Sequence, residues 1–309
     1  MRLLTDGSAL PATGSMAAVG SFDGVHLGHR YLLRALCSEA QRRGLSAMAV
    51  TFRQHPLSVL RPASAPRLLT TLDERLALIE ATGVDYCVLL DFTPAMASLS
   101  AEEFMSQLLR ERYNVRALLM GYDHHIGSDR EHSFEHYVEA GKAAGVEVVR
   151  AAEYRPESGL AVSSSAVRRA VENGEMEKAS LMLGRPYNIC GPVAHGRHVG
   201  TTLGFPTANI DTAKQGKVMP RGGVYAAIAE VGDRRYRAVV NIGSRPTLDN
   251  GSDVTTEAFL LDFDGDLYDR EVNLQFVVRM RDEKRFSSLT ALRDAIAADA
   301  ESARYLVKL

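Results

Sequence analysis

Residues 17–149 alternate between short, nearly continuous apolar runs and segments whose apolar side chains recur every three or four positions, and few folds accept that pattern. Residues 17–21, 45–52, 84–90, 115–120 and 146–149 read as strands with almost no polar alternation. Between them, residues 27–43 carry Leu33, Leu36, Cys37 and Ala40 on one helical face, with Gly44 placed to end the helix. Thr71 with Glu74 forms a capping box ahead of Leu76 and Ile79, Ser100 with Glu103 caps another helix, and residues 134–144 make a further one. Strands that are apolar throughout must be buried on both faces, so this half reads as a parallel sheet covered by helices on its two sides. In such sheets ligands sit beyond the carboxyl ends of the strands.

The period changes after about Gly184. Residues 223–230, 235–242, 255–262 and 271–280 are glycine-punctuated strands, several of alternating polarity, as in an antiparallel sheet or barrel. Phe286, Leu289, Leu292 and Ile296 then fall at helical spacing, so a helix closes the chain. A chain of 309 residues can bury two cores, and the boundary is expected at 184/185: residues 1–184 and 185–309. Net charge is -2, so there is no surplus of positive charge to displace counterions, and no nucleic-acid partner is expected. Cys37, Cys87 and Cys190 are scattered without metal-ligand spacing or a paired framework. Neither a signal peptide nor an apolar run of membrane-spanning length is evident, which points to a cytoplasmic protein with no membrane partner.

The first chemistry-bearing stretch is Val19-Gly20-Ser21-Phe22-Asp23-Gly24-Val25-His26-Leu27-Gly28-His29, at a strand-to-helix junction. A helix starting near His26 directs unpaired backbone N–H groups at an anion, and Gly24 and Gly28 permit close approach. His26 and His29 share one side of the first turn, where they can donate to phosphate oxygens and stabilise charge growing at an α-phosphate as pyrophosphate leaves. The plain alternative is a turn with two helix-capping histidines. His55, placed before Pro56, is extended and suits either a ligand contact or a structural hydrogen bond. The planar fork of Arg168 suits a phosphate, and a solvated surface arginine is its alternative. Thr207 and Asn209 offer hard oxygens for Mg²⁺, in a glycine-punctuated region without a Walker loop; ordinary loop chemistry is the alternative there. Glu257, taken alone, reads as a solvated strand residue.

Taken at length, these segments resemble a known family. Residues 22–29 and 51–56, Gly121-Tyr122-Asp123-His124-His125-Ile126-Gly127 and Ser163-Ser164-Ser165-Ala166-Val167-Arg168 resemble the nucleotidyltransferase module of bacterial bifunctional riboflavin kinase/FMN adenylyltransferases, or FAD synthetases. Residues 204–210, 223–225, 241–247, 262–268 and 279–286 resemble the riboflavin kinase module. The resemblance implies a Rossmann-like α/β domain followed by a six-stranded β-barrel with a closing helix. It implies phosphorylation of riboflavin to FMN, then adenylylation of FMN to FAD, with ATP as co-substrate and Mg²⁺ as cofactor, in a monomer or weak homo-oligomer. His26, His29 and Arg168 would act at the adenylyl site. Gly20, Phe22, Gly24, Gly28, His55, Ser164 and Ser165 would contact ligand there, with Asp123 at the flavin end. In the kinase, Glu257 would be the base, Thr207 and Asn209 the metal ligands, and Gly204, Pro206, Asn241 and Arg279 binding residues.

Four departures mark the chain. Gln54 stands where proline is usual, His125-Ile126 where Arg-Phe is usual, and Thr201 where an arginine is usual, leaving that phosphate contact to Arg197 or His198. Two competing functions follow: an adenylyltransferase for another acceptor, such as a pantetheine phosphate or nicotinamide mononucleotide, or a flavin-nucleotide-binding regulator that has lost turnover.

Overall fold

The computed structural model describes residues 1–5, 8–122, 125–129, 133–157, 159–194, 205–212, 215–246 and 252–309. Asp123 and Gly204 among the expected site residues, and Arg197, His198 and Thr201, lie outside them. The chain forms two compact units, Met1–Val162 and Ser163–Leu309.

In the first unit the strands are β1 (Arg2–Leu4), β2 (Ser15–Val19), β3 (Ser46–Phe52), β4 (Tyr86–Leu90), β5 (Val115–Met120) and β6 (Glu147–Arg150). The helices are α1 (Leu27–Arg42), α2 (Pro56–Leu60), α3 (Leu72–Glu80), α4 (Pro94–Ala97), α5 (Ala101–Glu103, continuing in wider π-type turns over Phe104–Arg112) and α6 (Phe134–Ala144). The sheet is parallel throughout, in the order β1-β4-β3-β2-β5-β6. Successive side chains of each strand enter two different cores. Ala17, Val19, Met48 and Val50 meet α5 and α6, while Met16, Ala18, Ala47 and Ala49 meet α1 and α3. This two-sided burial is what removed polar alternation from the sequence. Both expected capping boxes are present, at Thr71/Glu74 and Ser100/Glu103. From β2 the chain progresses to β3 and β4 on one side and returns to β5 and β6 on the other. The strand order therefore reverses between β2 and β5, where a crevice opens at the carboxyl ends.

The second unit begins with α7 (Ser164–Asn173) and α8 (Met176–Leu183), and α8 rests on the barrel strands β7 and β12. Its strands are β7 (Tyr187–Ala194), β8 (Thr207–Ile210), β9 (Gly223–Val231), β10 (Arg234–Pro246), β11 (Ser252–Leu260) and β12 (Glu271–Arg281), followed by α9 (Leu289–Leu306). The six strands close into an antiparallel barrel, β10-β11-β8-β7-β12-β9. Ile189, Tyr225, Val240, Ala258, Leu274 and Phe276 fill its interior. The alternate residues Val224, Ala226, Ile228 and Val239 form an outer apolar face that packs with Ala303 and Val307 at the end of the chain.

Candidate active sites

The first site is built on a strained turn. After β2, Phe22 (φ 47°) and the β-branched Val25 (φ 39°) stand in the left-handed region, with Gly24 (φ 79°) between them. Non-glycine residues held there cost about 1–3 kcal/mol each and persist only where the surroundings over-determine them. The restraint comes from the segment before α3. The fully buried Asp23 accepts from the Leu69 N–H at 3.0 Å, the Thr70 N–H at 3.1 Å and the Thr70 hydroxyl at 3.1 Å. Thr70 Oγ1 in turn accepts the Gly24 N–H at 3.1 Å. The Gly24 amide is thus engaged within the fold.

His26 is the N-cap of α1, its Nδ1 accepting the His29 N–H at 3.2 Å. That bond places the proton of a neutral His26 ring on Nε2. The two imidazoles stack with centroids 3.6 Å apart at 17°, and the His29 ring meets the edge of Phe22 at 5.3 Å. Phe22, expected among the nucleotide contacts, is 1 % exposed and packs against the His29 ring. The Leu27 and Gly28 N–H groups at the head of α1 have no hydrogen-bond partner among the described residues, as an anion-binding helix start requires. Gly28 has a steric reason to be glycine: a Cβ there would lie 3.3 Å from Cε1 and Nδ1 of His26.

Beside this turn, over the carboxyl ends of β2 and β3, lies a cleft of about 330 Å³. Gly20 and Ser21 form one edge, His55 and Pro56 a second, and His125 and Ile126 a third, around an apolar floor that includes Phe52, Phe92 and Phe104. His55 caps α2, its Nδ1 accepting the Leu57 N–H at 3.2 Å. The Ile126 N–H donates to the Tyr137 hydroxyl at 3.2 Å, and burial raises the pKa of that phenol. Two of the four departures, His125 and Ile126, therefore line the cleft, whereas Gln54 does not. Ser164, Ser165 and Arg168 lie in the first two turns of α7, whose N-cap is Ser163, accepting the Ala166 N–H at 3.1 Å.

The second site follows from barrel register. Asn241 on β10 faces Glu257 on β11, and Glu257 faces Asn209 on β8, so the three stand in one row across three strands. Val239, Phe259 and Thr207 make the next row on the same outer face. Between these strands and α9 is a cleft of about 340 Å³, lined by Thr207, Asn241, Glu257 and Phe259 and, opposite, by Phe286 and Ile296. Asn241 Nδ2 donates to Glu283 at 3.1 Å, and its Oδ1 is buried without a hydrogen-bond partner among the described residues. Arg281 holds Asp299 of α9 through both carboxylate oxygens, the shortest contact being 2.6 Å. This pair fixes the helix that roofs the cleft, and sequence reasoning missed it because its members are 18 positions apart on different elements. Pro206 is exposed at the entry to β8, after Phe205, whose ring meets Phe259 edge-on at 5.3 Å. Arg279 does not line the cleft. Its guanidinium is bound to the Gly222 carbonyl at 2.5 Å and to Asp282 at 2.6 Å, and the Asp282 bond raises its pKa.

Comparison with known proteins matches both units. Residues 10–166 match the family described as FAD synthetase, and residues 183–307 the family described as riboflavin kinase. A bifunctional riboflavin kinase/FMN adenylyltransferase of Escherichia coli K12 is 38 % identical, covering 96 % of this chain and 94 % of that protein. The Bacillus subtilis protein of the same name is 34 % identical, with 96 % and 93 % covered. A Streptococcus pneumoniae crystal structure, named as a macrolide-efflux protein, superimposes with a TM-score of 0.85 at 30 % identity over 98 % of each chain. Among the described residues of the present chain, no helix is long and apolar enough to cross a membrane.

Proposed function

Because the chain belongs to the family of bifunctional riboflavin kinase/FMN adenylyltransferases, making FMN from riboflavin and FAD from FMN, we propose the following division of labour among its residues. Residues 1–184 carry adenylyl transfer and 185–309 riboflavin phosphorylation.

In the kinase site, the observation that carries the assignment is the row Asn241–Glu257–Asn209 beneath α9. Glu257 takes the proton of the ribityl terminal hydroxyl as that oxygen attacks the γ-phosphate of ATP, whose bond to the β,γ-bridging oxygen breaks as ADP departs. The flavin ring lies between the Val239 and Phe259 wall and the Phe286 and Ile296 side. The Thr207 hydroxyl and the Asn209 amide oxygen, both hard donors beside Glu257, suit Mg²⁺, which keeps several waters and asks few protein ligands. When bound, that ion supplies neutralisation of the transferring phosphoryl charge. Phosphoryl transfer depends mainly on positioning, so the fit of the roofing helix should control substrate capture. Asp299→Ala, which frees α9 from Arg281, is expected to raise the KM for riboflavin about tenfold, roughly 1.4 kcal/mol of binding, with kcat little changed. Steady-state FMN formation measures this; an unchanged KM contradicts the role given to α9.

In the adenylyl site the cleft between Gly20, His55 and Ile126 takes the flavin ring of FMN. The head of α1, with His26 and His29, takes the ATP phosphates. The FMN phosphate attacks the α-phosphate in line and pyrophosphate departs, the imidazoles donating to oxygens where charge grows. Gly28→Ala should press the His26 ring by a few tenths of an ångström and lower the rate of FAD formation by about tenfold, less than the 10²-fold of a 1 Å misplacement at a reacting group. A rate within twofold of the parent would sink this placement. The three cysteines are free thiols, which supports assignment to a reducing cytoplasm. An adenylyltransferase for a different acceptor would have no use for the riboflavin kinase unit, and the regulator reading is separated by turnover itself.

A further inference from the structure

Arg75 is among the largest fully buried side chains of the molecule, at 2 % exposure, and neither motif contains it. It projects from α3 behind the adenylyl cleft. Its Nη1 donates to the Ser21 carbonyl at 3.0 Å, and its Nη2 to the carbonyls of Phe52 at 2.5 Å and Arg53 at 3.3 Å. Ser21 and Phe52 both line the cleft, Ser21 leads into the strained turn that ends at His26, and Arg53 lies two residues before His55. One rigid fork therefore ties the carboxyl end of β2, which leads into the phosphate-binding turn, to the carboxyl end of β3, which leads to His55 at the flavin cleft.

The arrangement is costly for a mere filler. Arg75 Nε is buried without a hydrogen-bond partner among the described residues, and burial lowers the pKa of the guanidinium, opposed by the charge of Asp23. Replacing a buried charged group by an apolar one of similar volume is often neutral or stabilising for a fold, so stability alone does not call for an arginine here. A fixed planar fork does what no apolar side chain can: it sets the separation of two backbone segments through their carbonyls. The turn is also held by the bonds of Asp23 to Leu69 and Thr70, just before α3 begins.

We propose that Arg75 is a positioning residue for adenylyl transfer, coupling the phosphate-binding turn to the flavin-binding segment so that each substrate orders the site of the other. The proposal rests on the two-site reading above. It predicts that in the parent protein the KM for FMN falls as ATP is raised. It also predicts that Arg75→Met, which has no donor, and Arg75→Lys, whose single ammonium on a flexible stem lacks the fixed fork, lower kcat/KM for FAD formation from supplied FMN at least tenfold. In both variants the KM for FMN becomes independent of ATP, while FMN formation from riboflavin is unchanged.

Thermal unfolding followed by circular dichroism separates this from a purely structural role, in which loss of activity tracks loss of stability. Should Arg75→Met lose the unfolding transition of its unit, Arg75→Lys carries the decision. Either folded variant retaining FAD formation within twofold, or retaining the ATP dependence of the FMN constant, overturns the proposal. A parent protein that makes no FAD at all would refute the function and leave the coupling without a subject, so the two failures are distinguishable.

Discussion

Glu257→Gln should slow FMN formation from riboflavin by about 10²- to 10⁴-fold, the range a positioned general base contributes. FAD formation from supplied FMN should stay at the parental rate. The amide is nearly isosteric and keeps an oxygen facing Asn241 and Asn209, so the row on the barrel wall persists and only the proton acceptor is lost. A free carboxylate is a weak base, and its effect here depends on being held beside the substrate hydroxyl. The two activities are measured by resolving FMN and FAD after feeding riboflavin or FMN separately. A parallel fall of both rates would contradict separate sites, and a fall of less than tenfold would reduce Glu257 to a binding contact.

His29→Ala should have the converse effect. Loss of one donor aimed at developing charge costs about 10²- to 10³-fold in kcat. FAD formation should fall by that amount, with the KM for ATP nearly constant because the interaction belongs to the transition state. The substitution is clean in one respect. The capping bond runs from the His29 backbone N–H to His26 Nδ1, so alanine at 29 retains it and removes only the imidazole and its stacking on His26. If His29 served only the structure, the unfolding temperature would move and the rate would not. FMN formation from riboflavin is the internal control.

Much of the scaffold could be read from the chain because the physics there is local. The five apolar runs of the first unit are strands within one or two residues of their expected limits, and the capping boxes at Thr71 and Ser100 formed as their spacing required. Short elements were not visible. Arg2–Leu4 becomes a strand only by pairing with β4, and α2 and α4 are single Pro-initiated turns with little periodicity to detect. In the second unit, β7 and β8 were not anticipated as separate strands.

The sites divide the same way. Motif spacing led to the His26/His29 pair and the family resemblance to the Glu257, Asn209 and Asn241 set, which the barrel register brings into one row. Positions supporting those residues were missed, since Asp23–Thr70, Arg75–Ser21 and Arg281–Asp299 are formed by tertiary packing. A sequence offers one usable signal for such positions, a charged residue at a core-facing helical position, as Arg75 is between Leu72 and Ile79. Phe22 and Arg279 also have packing contacts that spacing could not reveal. Each belongs to a matched motif, yet one ring packs beneath a histidine and the other guanidinium closes a barrel corner.

The central claim is that one chain carries riboflavin through FMN to FAD, and a single time course tests it. Purified protein is given riboflavin, ATP and Mg²⁺, and the flavins are separated at intervals. FMN should accumulate first and FAD should follow at its expense. No flavin nucleotide at all, or FMN that never becomes FAD, would contradict the account.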